Sequence, residues 1–170
     1  MGEIAMSIFK ILTFANADNL KLLERLNYIR EPEATSLDLI FGRYVSVFYP
    51  YEEMTFIKRC FLNETNNTFH GKNFIEYVIS LRASESYYLG HFENCIKQIL
   101  NWLAHYNDGH YQTISAIHLN TDNLHAHIIA NNIDFITGKR FNLFKSDFFT
   151  MREFIDFTLQ ENYLSGLEKQ

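Results

Sequence analysis

Three of the chain's seven histidines fall in the stretch Ile117-His118-Leu119-Asn120-Thr121-Asp122-Asn123-Leu124-His125-Ala126-His127-Ile128-Ile129-Ala130-Asn131, and their spacing constrains the fold more than any other feature. His125 and His127 are two apart in an apolar run, so a strand directs both imidazoles to one sheet face. Upstream, Gln112 to His118 alternates polar with apolar, which puts Ile114, Ala116 and His118 on a common face. The piece between the runs, Asn120 to Asn123, is rich in turn formers. The two runs therefore read as a hairpin that brings His118 beside the His125/His127 pair. Three imidazoles on one face form a facial metal site with open positions for substrate oxygens. Burying them together with no such duty would cost on the order of 1–3 kcal/mol per unsatisfied nitrogen.

At 170 residues the chain is expected to fold as one domain, 1–170, with a single core. Pro and Gly are scarce and no repeat or low-complexity tract occurs, which argues against disorder and solenoid architectures. The apolar stretch from Ala5 to Phe14 is interrupted by Ser7 and Lys10 and lacks a small-residue cleavage site, so it does not read as a signal peptide. No run reaches membrane-spanning length. Cys60 and Cys95 both fall in helical patterns beside large apolar residues and read as reduced core thiols of a cytoplasmic protein. Neither is near the histidines, so a Cys/His zinc finger is not supported. The formal charge of −5 runs against the basic footprint of phosphate binders. A local groove needs only a few cations, for which Arg43, Lys58, Arg59, Lys72, Arg82, Lys139, Arg140 and Lys145 are candidates.

Periodicity places a first strand over Met6 to Phe14. An Asn16-Ala17-Asp18 cap then opens a helix with Leu20, Leu23, Leu26 and Ile29 at helical spacing, stopped by Glu31-Pro32 with Tyr28 in its final turn. A strand follows around Leu39 to Val47, closed by Pro50, then a helix from Glu52 to Leu62 and a polar connector from Asn63 to Asn73. Phe74 to Leu81 is a strand ending at Ser80. His91 to Tyr106 carries Phe92, Cys95, Ile96, Ile99, Leu100 and Leu103 on one stripe, stopped by Asn107-Asp108-Gly109. After the histidine hairpin and a Thr137-Gly138 turn, Ser146-Asp147 caps a last helix through Phe148, Met151, Phe154, Ile155 and Leu159. The expected class is α+β: about five largely antiparallel strands covered by three to four helices.

In this order, Leu26-Asn27-Tyr28-Ile29-Arg30-Glu31-Pro32-Glu33, Val78-Ile79-Ser80-Leu81-Arg82-Ala83-Ser84-Glu85 and His118 to Asn131 resemble the three motifs of the relaxase, or mobilisation nuclease, domain of conjugative plasmids. The group in question includes the broad-host-range plasmid relaxases and the Agrobacterium border endonuclease, and the resemblance covers roughly residues 5 to 167. It implies that Tyr28 is the nucleophile on a scissile phosphate of single-stranded DNA at an origin of transfer. It also implies that Ser80 helps hold the DNA, and that His118, His125 and His127 hold a divalent ion, Mg²⁺ or Mn²⁺. Arg30, Lys72, Arg82 and Asn131 join Ser80 as candidate DNA contacts. Accessory relaxosome proteins and a type IV secretion coupling protein are the implied partners. Such an ion polarises the phosphodiester, while the phenol must lose its proton to attack. The product would be a 5′-phosphotyrosine that keeps the energy of the broken linkage.

One departure stands out. The family usually carries Asp two residues after the first histidine, where this chain has Asn120, and Asp122 matches a second Asp of some members. A carboxylate there would orient a histidine through a hydrogen bond, so Asn120 and Asp122 are candidate catalytic residues. Asn120 and the acidic balance keep open a degenerate, non-cleaving DNA- or partner-binding module. A rolling-circle replication initiator or transposase ranks below both, because in those proteins the metal strand usually precedes the tyrosine. Whole relaxases carry a further C-terminal region, so the chain reads either as an excised nuclease domain or as a short stand-alone form.

Overall fold

The histidine hairpin forms the centre of the sheet. In the computed structural model, which describes residues 6–14, 17–61 and 72–168, its arms are β4 (Tyr111–His118) and β5 (His125–Asp134), flanked by β1 (Ile8–Leu12), β2 (Ile40–Arg43) and β3 (Phe74–Ser80). The spatial order is β1-β3-β5-β4-β2, with every neighbouring pair antiparallel. Four helices complete an α+β fold: α1 (Asn19–Ile29), α2 (Pro50–Phe61), α3 (Leu89–Ala104) and α4 (Lys145–Glu161).

Both sheet faces are covered. On one, Tyr77, Ile79, Ile117, Ala126 and Ile128 pack against Phe92, Ile96 and Ile99 of α3 and Met151, Ile155 and Leu159 of α4. On the other, Phe74, Ile114, Ala116 and Ile129 pack against Leu22, Leu26 and Ile29 of α1 and Met54 of α2. Two-sided burial explains why β5 reads as a nearly continuous apolar run while its residues still alternate between faces. His118 and His127 share the register face of Ala116 and Ile129, so the triad lies under α1.

That helix starts where Asp18 accepts a 2.8 Å hydrogen bond from the Lys21 amide, as an N-cap carboxylate does. Its buried stripe is Leu22, Leu26 and Ile29, whereas Leu20 is 74 % exposed. Leu20 belongs to the first turn and lies on the exposed side of the helix, which corrects the expected stripe. Leu26→Ala should cost about 2–5 kcal/mol, the usual range for a cavity at a fully buried leucine. Chemical denaturation checks this, and because Leu26 seats the turn that carries Tyr28, activity should fall in parallel.

Other boundaries shift for local reasons. The first strand contracts to Ile8–Leu12. The second ends at Arg43, where Tyr44 takes a φ of 60°, and a Cβ on Gly42 would lie 2.3 Å from the Val45 carbonyl oxygen. Only glycine permits that reversal. Pro50 opens α2 instead of closing a strand, since its missing N–H is no loss in the first helical turn. Helix α3 begins at Leu89, two residues before His91. At the start of α4 the Asp147 carboxylate accepts from the Phe144 amide at 2.7 Å. Cys95 is buried, but Cys60 is exposed, because α2 turns that position away from the sheet. Asn16, Leu62 and the connector up to residue 71 lie outside the described residues. Among those described, no helix is long and apolar enough to cross a membrane.

Candidate active site

Strand register assembles the histidines. His118 pairs with His125 across β4 and β5, and His127 sits opposite Ala116. Ligand nitrogens of the three rings lie within 4.8 Å of one another. Two nitrogens each about 2.1 Å from one ion are at most about 4.2 Å apart, so the rings need only small rotations to share a metal.

Their outer hydrogen bonds make the set fit for one. His118 Nε2 is 2.9 Å from the Ile29 carbonyl, His125 Nδ1 is 3.1 Å from the Asn123 carbonyl, and His127 Nδ1 is 2.8 Å from Glu76 Oε1. A carbonyl or carboxylate only accepts, so each of these nitrogens carries the proton and the other ring nitrogen keeps its lone pair. Burial disfavours the charged form of His118 and His125 and lowers both below the ordinary histidine value. Burial thus favours the neutral, ligating form of His118 and His125, while the hydrogen bonds fix which nitrogen of each ring faces an ion. Imidazole donors suit transition ions better than Mg²⁺, which prefers oxygen. Mn²⁺ should therefore bind more tightly than Mg²⁺ by calorimetric titration, and equal affinities would contradict a three-nitrogen site.

Glu76 is the residue the sequence reading missed. It lies on β3, fully buried, and besides His127 it accepts two 2.8 Å hydrogen bonds from Arg25 Nε and Nη2. Burial pushes its carboxyl up, but the bonds from Arg25 and His127 outweigh burial and hold it below the usual carboxylate value. The same Glu76 bond raises Arg25, against burial, which lowers it. The signal was an ionisable residue inside the otherwise apolar strand Phe74-Ile75-Glu76-Tyr77-Val78, a placement natural chains rarely tolerate without partners.

Arg25 also lies 4.2 Å over the Tyr28 ring. That ring, 41 % exposed in the last turn of α1, meets His118 and His127 edge-on, with centroids at 5.6 and 5.3 Å. A phenol with open access thus stands against two of the three imidazoles, held by a chain that runs Tyr28, Arg25, Glu76, His127.

The remaining expected residues divide by position. Ser80 pairs with His125 in the β3–β5 register and is beside the triad. Arg82 follows it, 3.4 Å from Glu85. Arg30 bonds the carbonyls of Leu26 at 2.9 Å, Val47 at 3.2 Å and Phe48 at 3.4 Å, clipping the β2–α2 loop to the end of α1. Asn120 and Asp122 are exposed in the β4–β5 turn. Asp122 offers its backbone carbonyl to Ser86 Oγ at 2.6 Å, and the histidine-orienting carboxylate comes from Glu76 instead. Asn131 is buried, its amide donating to the Met54 carbonyl at 3.1 Å and to Gln112 at 3.0 Å. It lies four residues along β5 from His127, roughly 13 Å away. Lys72 precedes β3 at that same far end and uses its carbonyl to accept from Arg140 at 2.9 Å.

The fold is an antiparallel α+β sheet whose central hairpin carries a three-histidine ligand cluster beneath a helix-borne tyrosine. A family model described as Relaxase: MobA/VirD2-like, nuclease domain, matches residues 28–164, and the chain belongs to that family. No curated protein and no solved structure matches it. The family is one of nucleases that nick DNA in mobilisation.

Proposed function

We propose that the chain is a metal-assisted, strand-specific relaxase that nicks single-stranded DNA at an origin of transfer and holds the 5′ end as a phosphotyrosine. The observation that carries this reading is the placement of the Tyr28 ring against His118 and His127, with Arg25 stacked on it and Glu76 joining Arg25 to His127. The Tyr28 phenol would lose its proton and its oxygen form a bond to phosphorus as the bond from phosphorus to the 3′ oxygen breaks, and the leaving 3′ oxygen would take up a proton, so that the exchange is proton-neutral overall. Because a phosphodiester is exchanged for a phosphotyrosine, the step runs backwards without ATP. A divalent ion on the three imidazoles, Mn²⁺ or Mg²⁺, would neutralise charge on the non-bridging oxygens.

The chain's own residues do the rest. Arg25 fixes the ring, Glu76 fixes the tautomer of His127, and Ser80, in register with His125, borders the place where the phosphate would lie. Glu76 favours the cleaving enzyme over a degenerate binding module, since the carboxylate missing at Asn120 is supplied from β3. Relaxosome proteins, a type IV coupling protein and a cytoplasmic site of action belong to the same proposal. The test incubates the protein with a randomised pool of single-stranded oligonucleotides and Mn²⁺, denatures it and recovers covalent adducts. An adduct that requires metal and carries DNA on Tyr28 is expected. Adduct formation with Tyr28→Phe would refute the assignment.

A further inference from the structure

Two of the three ligand histidines direct their outer hydrogen bonds toward the helix that carries the nucleophile. His118 Nε2 donates to the carbonyl of Ile29, the last residue of α1, at 2.9 Å. His127 Nδ1 donates to Glu76 Oε1 at 2.8 Å, and Arg25 of α1 donates to both oxygens of that carboxylate at 2.8 Å. Arg25 and Ile29 are four residues apart and share a helix face, with Tyr28 on the same side. His125 differs. Its Nδ1 meets the Asn123 carbonyl at 3.1 Å and Thr121 Oγ1 at 3.2 Å, both within its own turn.

These bonds tie the state of the ligands to the seating of α1. The Ile29 carbonyl keeps the His118 proton on Nε2 and leaves Nδ1 as the ligand atom, while Glu76 does the converse for His127 and leaves Nε2. If α1 lifts, His118 loses its acceptor and its tautomer is no longer set, and Glu76 loses the two bonds that hold its carboxylate against His127. In the other direction, an imidazole that ligates a cation donates more strongly from its outer N–H, so both bonds tighten. The helix depends on such anchors. It has 11 residues, of which Leu22, Leu26 and Ile29 are buried, and a helix that short is marginal in water without tertiary support.

Resting on the proposed metal-assisted nicking, we infer that α1 is a metal-controlled latch: the ion that the histidines hold also seats Tyr28, and a seated α1 in turn raises metal affinity. The two effects are one coupling free energy and are equal in size. The consequence is regulatory. Protein without metal releases α1 more often and with it withdraws the Tyr28 ring from His118 and His127, so the nucleophile is presented together with the ion that neutralises the phosphate.

Hydrogen–deuterium exchange of the full chain, read by mass spectrometry in EDTA and in saturating Mn²⁺, tests this without any DNA. In EDTA the α1 amides should exchange faster than global unfolding, measured by chemical denaturation, allows, because the helix opens on its own. Losing the outer partner of a ligating histidine costs metal affinity about 10–100-fold, so by reciprocity Mn²⁺ should slow that opening, and the exchange of α1, about tenfold or more. Exchange of α1 only through global unfolding overturns the latch. So does exchange that Mn²⁺ leaves unchanged although calorimetry shows the ion bound, and in both cases the nicking proposal stands. Wild type that binds no Mn²⁺ would defeat the metal-assisted nicking proposal itself and the latch with it.

Discussion

Tyr28→Phe should abolish the covalent DNA adduct, by at least about a thousandfold in rate, since removing a nucleophile leaves only what binding and the surrounding groups contribute. The substitution deletes one oxygen from a ring that is 41 % exposed, and the ring contacts with Arg25, His118 and His127 do not depend on that oxygen. Stability should change by less than about 0.5 kcal/mol, as for other surface changes, and Mn²⁺ affinity should be unaltered. The combination is diagnostic. Denaturation, metal titration and a gel assay for the adduct on the same preparation separate a missing nucleophile from a damaged fold. Residual adduct in Tyr28→Phe would place the nucleophile elsewhere.

Glu76 carries the second large effect, and it acts on both stability and metal. Glu76→Ala leaves the Arg25 guanidinium, whose side chain is 15 % exposed, and the His127 Nδ1 proton without their acceptor. Breaking one side of a buried ion pair costs roughly 3–5 kcal/mol. Glu76→Gln keeps the volume and one acceptor oxygen, so it should fold while losing the charge. In that variant metal affinity should drop about 10–100-fold, the usual cost of removing the outer partner of a ligating histidine. Unchanged affinity by titration would show that His127 is oriented by something else.

The same carboxylate makes a pH prediction with a definite sign. Its folded-state pKa is depressed below the ordinary 4.5. The unfolded chain therefore takes up a proton at higher pH than the folded one, and the stabilisation is fully present above about 4.5 and lost as pH falls through the folded value. Wild-type stability should decline more steeply than that of Glu76→Gln below about pH 4.5. Parallel acid-denaturation curves would rule out Glu76 as the source.

Much of the site was legible because its parts are local. Paired strands carry side chains at a period of two, so His118, His125 and His127 on a turn-linked hairpin could be placed on one face by counting. Tyr28 could be put at a helix end because Glu31-Pro32 cannot continue a helix. The α3 stripe from Phe92 to Leu103 and the strand ending at Ser80 are local in the same way. Errors fell where long-range packing overrides local pattern. Leu20 fits the helical period yet is exposed in the first turn, Cys60 sits in a helix whose buried side is elsewhere, and Pro50 looks like a stop although it is well suited to a first helical turn.

Periodicity and turn chemistry in the sequence alone thus determined an antiparallel hairpin with three convergent imidazoles and the α+β class, and the resemblance to relaxases singled out Tyr28 beside it. Tertiary structure decided the carboxylate. Glu76 lies far from His127 in sequence, and only the register of β3 against β5 together with the docking of α1 brings it between Arg25 and that imidazole. The expected place for such a charge, the turn with Asn120 and Asp122, is exposed to water, where a carboxylate orients a histidine weakly. A buried strand position excludes water, so the same group there fixes the ring strongly, provided Arg25 is present to hold its charge.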